Sequence, residues 1–185
     1  MGQKQAAYDA KGNIVAFYDT SDSPAPEGSR VIDITDAEWL DCTGNQGTRC
    51  VQNGALAQVP PPTAAQQLAT AQAAQIATLT QACANAITSG FSSNALGLAN
   101  SYPSTLTDQA NQNAAAQCST GGLLWCATGG TWSFKSHTRA QAQAVVASFV
   151  AWLNKCQQQL VTLTDKVNEA TSVDAVESIV WVDPQ

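Results

Sequence analysis

Two long segments of the chain place hydrophobic residues at steps of three and four positions, the spacing of one face of an α-helix. The first runs from Ala64 to Thr88, and the second follows Thr138 for about 30 residues, roughly 45 Å of helix. The predicted hydrophobic stripes consist of Leu68, Ile76, Leu79, Cys83 and Ile87 in the first segment and of Val145, Phe149, Trp152, Cys156, Leu160, Leu163 and Val167 in the second. We expect each stripe to pack against another helix of the chain or against a second copy of it.

Between the two predicted helices lies the stretch Gly90–Gln109, which reads GFSSNALGLANSYPSTLTDQ. A glycine often follows the end of a helix, and asparagine, glycine and proline favour tight turns. We therefore interpret this stretch as a packed corner that sets the crossing of the two helices, with a binding loop as the alternative. Its apolar anchors are Phe91, Leu96 and Tyr102.

Shorter elements complete this part of the chain. Asp108–Gln117 favours a helix, and Gly122–Cys126 and Thr131–Lys135 favour a β-hairpin around two glycines. Since only 6% of residues are aromatic, we expect the hairpin aromatics to pack in the core. These are Trp125, Trp132 and Phe134. Val176–Val182 alternates apolar residues and predicts a terminal strand or extended arm.

The first 59 residues show the two-residue alternation and turn compositions of a small β-rich module. Strands are expected at Ala6–Tyr8, Ile14–Tyr18, Val31–Ile34, Arg49–Gln52 and Ala55–Val59. The last two flank Asn53-Gly54, a strong hairpin signal. Thr35 and Glu38 have the spacing of a capping box and predict a short helix with Trp39 and Leu40 facing inward.

The run Pro60–Thr63 separates the two parts, because consecutive prolines form a stiff extended spacer. The sequence thus predicts an α+β protein: a β-rich module at 1–59, a linker at 60–63, and a helical domain at 64–185 with a β-hairpin near 122–135.

The charge and hydropathy of the chain argue against nucleic-acid binding, membrane insertion and secretion. The 185 residues carry a net charge of −6, with eight scattered Lys and Arg, so we expect no nucleic-acid binding. No apolar run approaches the roughly 20 residues of a membrane-spanning helix. The opening MGQKQAAYDAKG lacks the apolar core of a signal peptide, so we expect neither membrane insertion nor secretion.

Six cysteines are many for a protein made in a reducing cytoplasm. None forms a CxxC motif and there is one histidine, so no zinc site is expected. Two pairs have a spacing of eight, which suits short loop closures and leaves one pair on the two helices. The candidate disulfides are Cys42–Cys50, Cys118–Cys126 and Cys83–Cys156. Because a reducing cytoplasm keeps thiols reduced, buried free thiols are the favoured interpretation, and the disulfides are the alternative.

No catalytic motif accompanies the ionisable residues. His137 has no nucleophile motif near it, and Asp108 and Asp165 lack a paired carboxylate at motif spacing. The glycines at 121–122 and 129–130 fit turns. An acidic loop could bind a cation or could serve solubility alone; its carboxylates are Asp19, Asp22 and Glu27. We expect no enzyme, no cofactor and no metal.

Four sequence features resemble tail-fibre and tail-fibre-associated proteins of tailed bacteriophages that carry a C-terminal domain of unassigned function. The first is the module with YDAKGNIVAFYD, VIDITDAEWL and NGALAQVPPPT. The second is GFSSNALG followed by YPSTLTDQANQ, and the third is the run of Trp, Phe and His-Thr that leads into the long helix. The ending VNEATSVDAVESIVW is also similar to tail-fibre assembly chaperones.

This resemblance implies a structural virion protein of a phage tail, either a tail fibre or a fibre or baseplate attachment component. It would be made in the host cytoplasm and act in host adsorption through oligomerisation, with a trimer as the family-level guess, and through contacts with other tail proteins. The alternative is a tail-fibre assembly chaperone. Disulfides could then form after lysis, in oxidising surroundings.

Overall fold

The computed structural model describes residues 2–184 and divides the chain into two compact units, one ending at Pro62 and one beginning at Thr63. Antiparallel strands and helices occur in both units, which confirms the predicted α+β class. Thr63, assigned to the linker from sequence, caps a helix instead: its hydroxyl accepts a hydrogen bond from the backbone N–H of Gln66 at 3.2 Å.

The first unit is built from two small antiparallel sheets and one helix. Its elements are β1 (Lys4–Tyr8), β2 (Ile14–Asp19), β3 (Val31–Ile34), α1 (Asp36–Gly44), β4 (Arg49–Gln52) and β5 (Ala55–Gln58). The strand order is β2-β1-β3 in one sheet, and β4 pairs with β5 in the other. Asn53 and Gly54, between β4 and β5, both have positive φ, as a two-residue type I′ hairpin requires.

The predicted capping box of α1 is present. The backbone N–H of Thr35 donates to the Glu38 carboxylate at 2.8 Å, and the N–H of Glu38 donates to the Thr35 hydroxyl at 3.2 Å. Trp39 is half-buried, but Leu40 is exposed, so its predicted inward orientation is wrong. The buried face of α1 follows Trp39 and Cys42, and Leu40 lies about 100° around the helix from Trp39.

The second unit combines four helices with a four-stranded antiparallel sheet. Its elements are α2 (Ala64–Thr88), β6 (Phe91–Ser93), β7 (Asn100–Tyr102), α3 (Leu106–Gln117), β8 (Gly122–Thr128), β9 (Thr131–His137), α4 (Arg139–Glu169) and α5 (Val173–Glu177). The strands follow the order β6-β7-β8-β9. A capping box formed by Thr138 and Gln141 begins α4.

The stripes of α2 and α4 pack within the chain. Leu79 of α2 is buried with Leu163 and Val167 of α4 and Val176 of α5. A second cluster joins Cys83 and Ala86 to Cys156. The half-buried stripe residues pack around these clusters or against the sheet; they are Leu68, Ile76, Ile87, Phe149, Trp152 and Leu160. The chain therefore covers its own stripes, and their burial gives no reason for self-association.

The stretch Gly90–Gln109 is not a corner between the two long helices. It contributes β6, β7 and the first turn of α3. In the two strands, the buried side chains of Phe91 and Tyr102 are followed or preceded by an exposed serine, which is the alternation of strand residues. Both aromatic residues are buried in the core between the sheet and the helices α3 and α4, and Leu96 packs against that core half-buried. Phe91 and Tyr102 thus lie in the core as strand residues, and Leu96 packs against that core from the loop between β6 and β7.

The predicted terminal strand at Val176–Val182 is also wrong. The Ser172 hydroxyl accepts a hydrogen bond from the Ala175 N–H at 3.2 Å and begins the short helix α5. Val176 is buried against α2, and the following residues run without regular structure, with Trp181 half-buried beside the same cluster. Local capping at Ser172 prevails over the apolar alternation that follows it.

Candidate functional site

The two faces of the second unit's sheet have different surroundings. On one face, Leu124 and Cys126 of β8 are buried against α3 and α4. On the other face, the positions of β8 and β9 are Leu123, Trp125, Ala127, Trp132, Phe134 and Ser136, all uncharged. Four of these remain exposed: Leu123 at 66%, Trp125 at 41%, Trp132 at 43% and Phe134 at 65%. We call these four side chains the aromatic face.

The strand register brings the aromatic side chains together. Trp125 lies opposite Phe134, and Trp132 lies opposite Ala127, two positions along β8 from Trp125. The Trp125 and Phe134 ring centroids are 4.8 Å apart with planes at 60°, and the two indole centroids are 6.2 Å apart with planes at 16°. Such cross-strand pairs stabilise a hairpin and hold the rings in fixed positions.

The prediction that the hairpin aromatics pack in the core is wrong for all three of them. The sheet alternates side chains between its faces, and α3 and α4 cover only the face of Leu124 and Cys126. The sequence did carry a signal, because apolar residues stand at both odd and even positions of Leu123–Cys126. One apolar set is buried by the chain itself. The other set, which forms the aromatic face, stays exposed.

A groove adjoins the aromatic face where α3 packs beside β8. Its volume is about 500 Å³, and Trp125 and Phe134 form part of its wall. Asn111 and Gln112 of α3 line the groove as well. Gln112 is buried and donates its amide N–H to the carbonyl oxygen of Pro103 at 2.8 Å, whereas Asn111 is exposed. The groove thus joins aromatic surface to side-chain amides.

Asp108 lines the same groove and is engaged at the start of α3. Its carboxylate accepts the backbone N–H of Thr105 at 3.1 Å, and its own N–H donates to the Thr105 hydroxyl at 3.3 Å. This is the reciprocal arrangement of a helix cap. Asp108 therefore orients α3 beside the groove.

The single histidine lies inside the core. The Nε2 atom of His137 is 2.8 Å from the Tyr102 hydroxyl, and its Nδ1 atom is 2.9 Å from the carbonyl oxygen of Lys135. Because a carbonyl only accepts, Nδ1 carries a hydrogen, and Nε2 is hydrogen-bonded to the tyrosine hydroxyl. Burial raises the pKa of Tyr102. His137 is fully buried, so this pair links β7 to β9 and does not face solvent.

The backbone segment that packs against the His137 carbonyl group requires a glycine. Gly121 has a φ of 77°, and a Cβ atom there would lie 2.0 Å from the carbonyl oxygen of His137. Only glycine fits both the left-handed conformation and the close approach. Gly121 thus fixes the start of β8 beside the groove.

All six cysteines are free thiols in the structure, so none of the three candidate disulfides is formed. Cys118 is exposed after α3, whereas Cys126 is fully buried on the inner side of β8. Cys83 and Cys156 are neighbours, since the Cys83 sulfur lies 3.6 Å from the Cys156 carbonyl oxygen. Burial raises the pKa of Cys156 to about 11 and also raises that of Cys83, which favours the protonated thiols.

The remaining pair of cysteines lies in the first unit. Cys42 and Cys50 are both buried, and the Cys50 sulfur lies 3.6 Å from the carbonyl oxygen of Gln58. Burial raises the pKa of Cys42. Free buried thiols, the interpretation favoured from the sequence, describe this pair as well.

In the acidic loop of the first unit, the buried carboxylate of Asp19 is bound by other groups of the same unit. Asp19 forms an ion pair with Lys4 at 2.6 Å and accepts the backbone N–H of Ser21 at 2.8 Å. These contacts lower the pKa of Asp19 to about 2. Asp22 and Glu27 are exposed. Within residues 2–184, no three His, Cys, Asp or Glu side chains converge as a metal site would require.

In the part of the chain that the structure describes, no helix combines the length and apolarity needed to cross a membrane.

Residues 70–180 match a family model described as a domain of unknown function, DUF4376. The match includes the aromatic face, the groove and most of both long helices. No curated protein and no solved structure matches the chain. Because the family model spans more than half of its residues, the chain belongs to the DUF4376 family.

Proposed function

We propose that this protein is a structural component of a bacteriophage tail, a tail fibre or a fibre or baseplate attachment part, and that it acts by recognition during host adsorption. The tail context rests on the sequence resemblance. The recognition role rests on the aromatic face, a rigid exposed surface of two tryptophans, a phenylalanine and a leucine. Aromatic residues, tryptophan above all, dominate the energetics of binding surfaces.

Several contacts support a binding role over catalysis. The one histidine is fully buried and its two ring nitrogens are engaged by Tyr102 and Lys135. Asp108 serves as a helix cap, and Asp19 is paired with Lys4. These groups, the natural candidates for acid–base chemistry, are used to hold the fold.

Assembly with other tail proteins and with further copies of the chain belongs to the same proposal. The stripes of α2 and α4 are covered inside one chain, so these contacts need other surfaces. Exposed apolar side chains on the outer side of α4, Val150 and Val161, are available for them. The trimer expected from the resemblance is to be tested by sedimentation of the purified chain.

Mass spectrometry of purified virions tests the proposal. The protein should be present in particles of the encoding phage at a fixed ratio to the other tail proteins. Detection in the lysate of infected cells serves as the control that the protein is made. A protein abundant in the lysate and absent from particles would contradict a structural role and favour the assembly chaperone.

A further inference from the structure

We propose that the aromatic face and the groove beside α3 form one site that binds a neutral saccharide. The two parts are continuous, because Trp125 and Phe134 belong to both. A volume of about 500 Å³ lies within the range of about 300–1,000 Å³ that is usual for small-ligand sites. This inference rests on the proposed recognition role and names its ligand class.

The two indoles are nearly parallel and partly open to solvent. Their planes differ by 16°, and their ring centroids are 6.2 Å apart in a stacked pair. Trp125 is 41% exposed and Trp132 is 43% exposed, so each ring keeps apolar surface in contact with water. Ala127 shares their face of the sheet and is only 5% exposed.

Partly exposed indoles suit the chemistry of a sugar ring. The face of an aromatic ring is the negative part of its quadrupole, and the C–H groups on one side of a pyranose are weakly positive and apolar. The sugar hydroxyls then point outward from the stack and need hydrogen-bonding partners at its edge. An exposed aromatic centre with polar groups at its rim meets both requirements.

The edge of the site supplies such partners. Amide side chains both donate and accept, as sugar hydroxyls do. Asn111 has an exposed amide that makes no hydrogen bond within residues 2–184. Gln112 is only 3% exposed and uses its N–H toward Pro103, which leaves its carbonyl oxygen as an acceptor without a partner among the described residues. Ser136 adds a hydroxyl on the outer side of β9.

Charge favours a neutral ligand. All outer positions of β8 and β9 are uncharged, and the groove wall contributes one carboxylate, Asp108. The chain as a whole carries a net charge of −6. An anionic glycan would approach against this field, whereas a neutral one would not.

The size of the patch argues against a second copy of the chain as the occupant. A stable protein interface needs about 800 Å² from each partner, or about 20–30 residues. The aromatic face has four large side chains, and the same side of the sheet continues through Ser101 and Ser92 on β7 and β6. The apolar area is thus confined to two strands, an extent that suits one or two sugar rings.

A printed array of neutral and anionic glycans, probed with the purified full-length chain, tests the proposal. Binding should be confined to neutral glycans. The best of them, added in solution, should change tryptophan fluorescence in a saturable manner. The double variant Trp125→Ala/Trp132→Ala should bind at least tenfold more weakly. Asn111→Ala should weaken binding while leaving the fluorescence of the free protein unchanged.

Leu98→Ala is the matched control, because Leu98 is an exposed apolar residue of the same unit outside the site. It should bind as the unaltered protein does, and circular dichroism should show that every variant is folded. No saturable binding on the array, or equal binding by the double variant, overturns the proposal. Binding of anionic glycans alone also overturns it. None of these outcomes changes whether the protein is found in virions, so this proposal and the tail assignment can fail separately.

Discussion

At the scale of single residues, the surroundings of each thiol decide its chemistry. Five of the six cysteines are buried, and Cys118 is exposed. The Thr120 hydroxyl lies 3.2 Å from the Cys118 sulfur, and hydrogen bonding by Thr120 lowers the pKa of that thiol. The thiolate is the reactive form, and a lower pKa makes more of it available at neutral pH. Cys118 is therefore the reactive cysteine of the folded chain.

We expect iodoacetamide to alkylate the native protein first at Cys118. Peptide mapping after short exposure at pH 7.5 should place the label there, and Cys118→Ser should leave the native chain largely unlabelled. Unfolding in guanidinium chloride is the control, since it should expose all six thiols. Labelling of Cys126 or Cys156 in the native protein at a similar rate would contradict the buried positions of these two.

The ion pair between Lys4 and Asp19 makes the first unit sensitive to acid. Lys4 and the amides of the loop lower the folded-state pKa of Asp19 to about 2, below its ordinary value of 3.8. A depressed carboxyl pKa contributes stability above the ordinary pKa, and this contribution is lost as the pH falls through the folded value. The first unit should therefore lose stability between about pH 4 and pH 2.

Amide hydrogen exchange in β1 and β3 measures this loss. Protection there should fall over that pH range in the unaltered protein, and the fall should be smaller in Asp19→Asn. Asp33→Asn is the control, because Asp33 is exposed on β3 and makes no ion pair among the described residues. An unchanged pH profile in Asp19→Asn would show that the pair does not contribute.

At the scale of elements, the contact of α2 with α4 holds the second unit together. Leu79 is 1% exposed and packs between Leu163, Val167 and Val176. Burying such side chains removes apolar surface from water, and the cavity left by truncation costs further free energy. The helices themselves are fixed locally, by Thr63 and Thr138 at their starts.

Leu79→Ala should lower the free energy of unfolding of the second unit by about 2–5 kcal/mol. Leu106→Ala, at a position 79% exposed in α3, should change it by less than about 0.5 kcal/mol. Urea titrations followed by tryptophan fluorescence compare the two variants, since four of the five tryptophans belong to this unit. Equal, small effects would mean that the packing of α2 on α4 is not a source of stability.

Local signals explain which elements the sequence reveals. Capping residues such as Thr35, Thr63 and Thr138 lie next to the helices they begin, and Asn53-Gly54 lies in the turn it forms. The strand order β6-β7-β8-β9 depends on contacts between residues that are distant in sequence. The sequence alone therefore predicts a corner at Gly90–Gln109, where the structure has two strands of this sheet. The exposure of Trp125 and Trp132 depends on which sheet face α4 covers. That choice is also non-local, and composition alone favoured the core.

At the scale of the whole molecule, each of the two units has its own packing, and the aromatic face belongs to the second. Exposed tryptophans are costly to leave in water, and a stable fold that keeps them exposed indicates a ligand or partner for them. The first unit offers mainly short hairpins and a charged surface, with Lys4–Asp19 and Asp41–Arg49 as ion pairs. We therefore propose that recognition belongs to the second unit.

The adsorption rate of virions that carry Trp125→Ala/Trp132→Ala tests this assignment most directly. Particles should assemble in normal numbers and contain the altered protein, because both side chains lie on the exposed face of the sheet. Their adsorption to host cells should be at least tenfold slower than that of unaltered particles, while Leu98→Ala particles should adsorb normally. Normal adsorption by particles shown to contain the double variant would contradict a recognition role for the aromatic face.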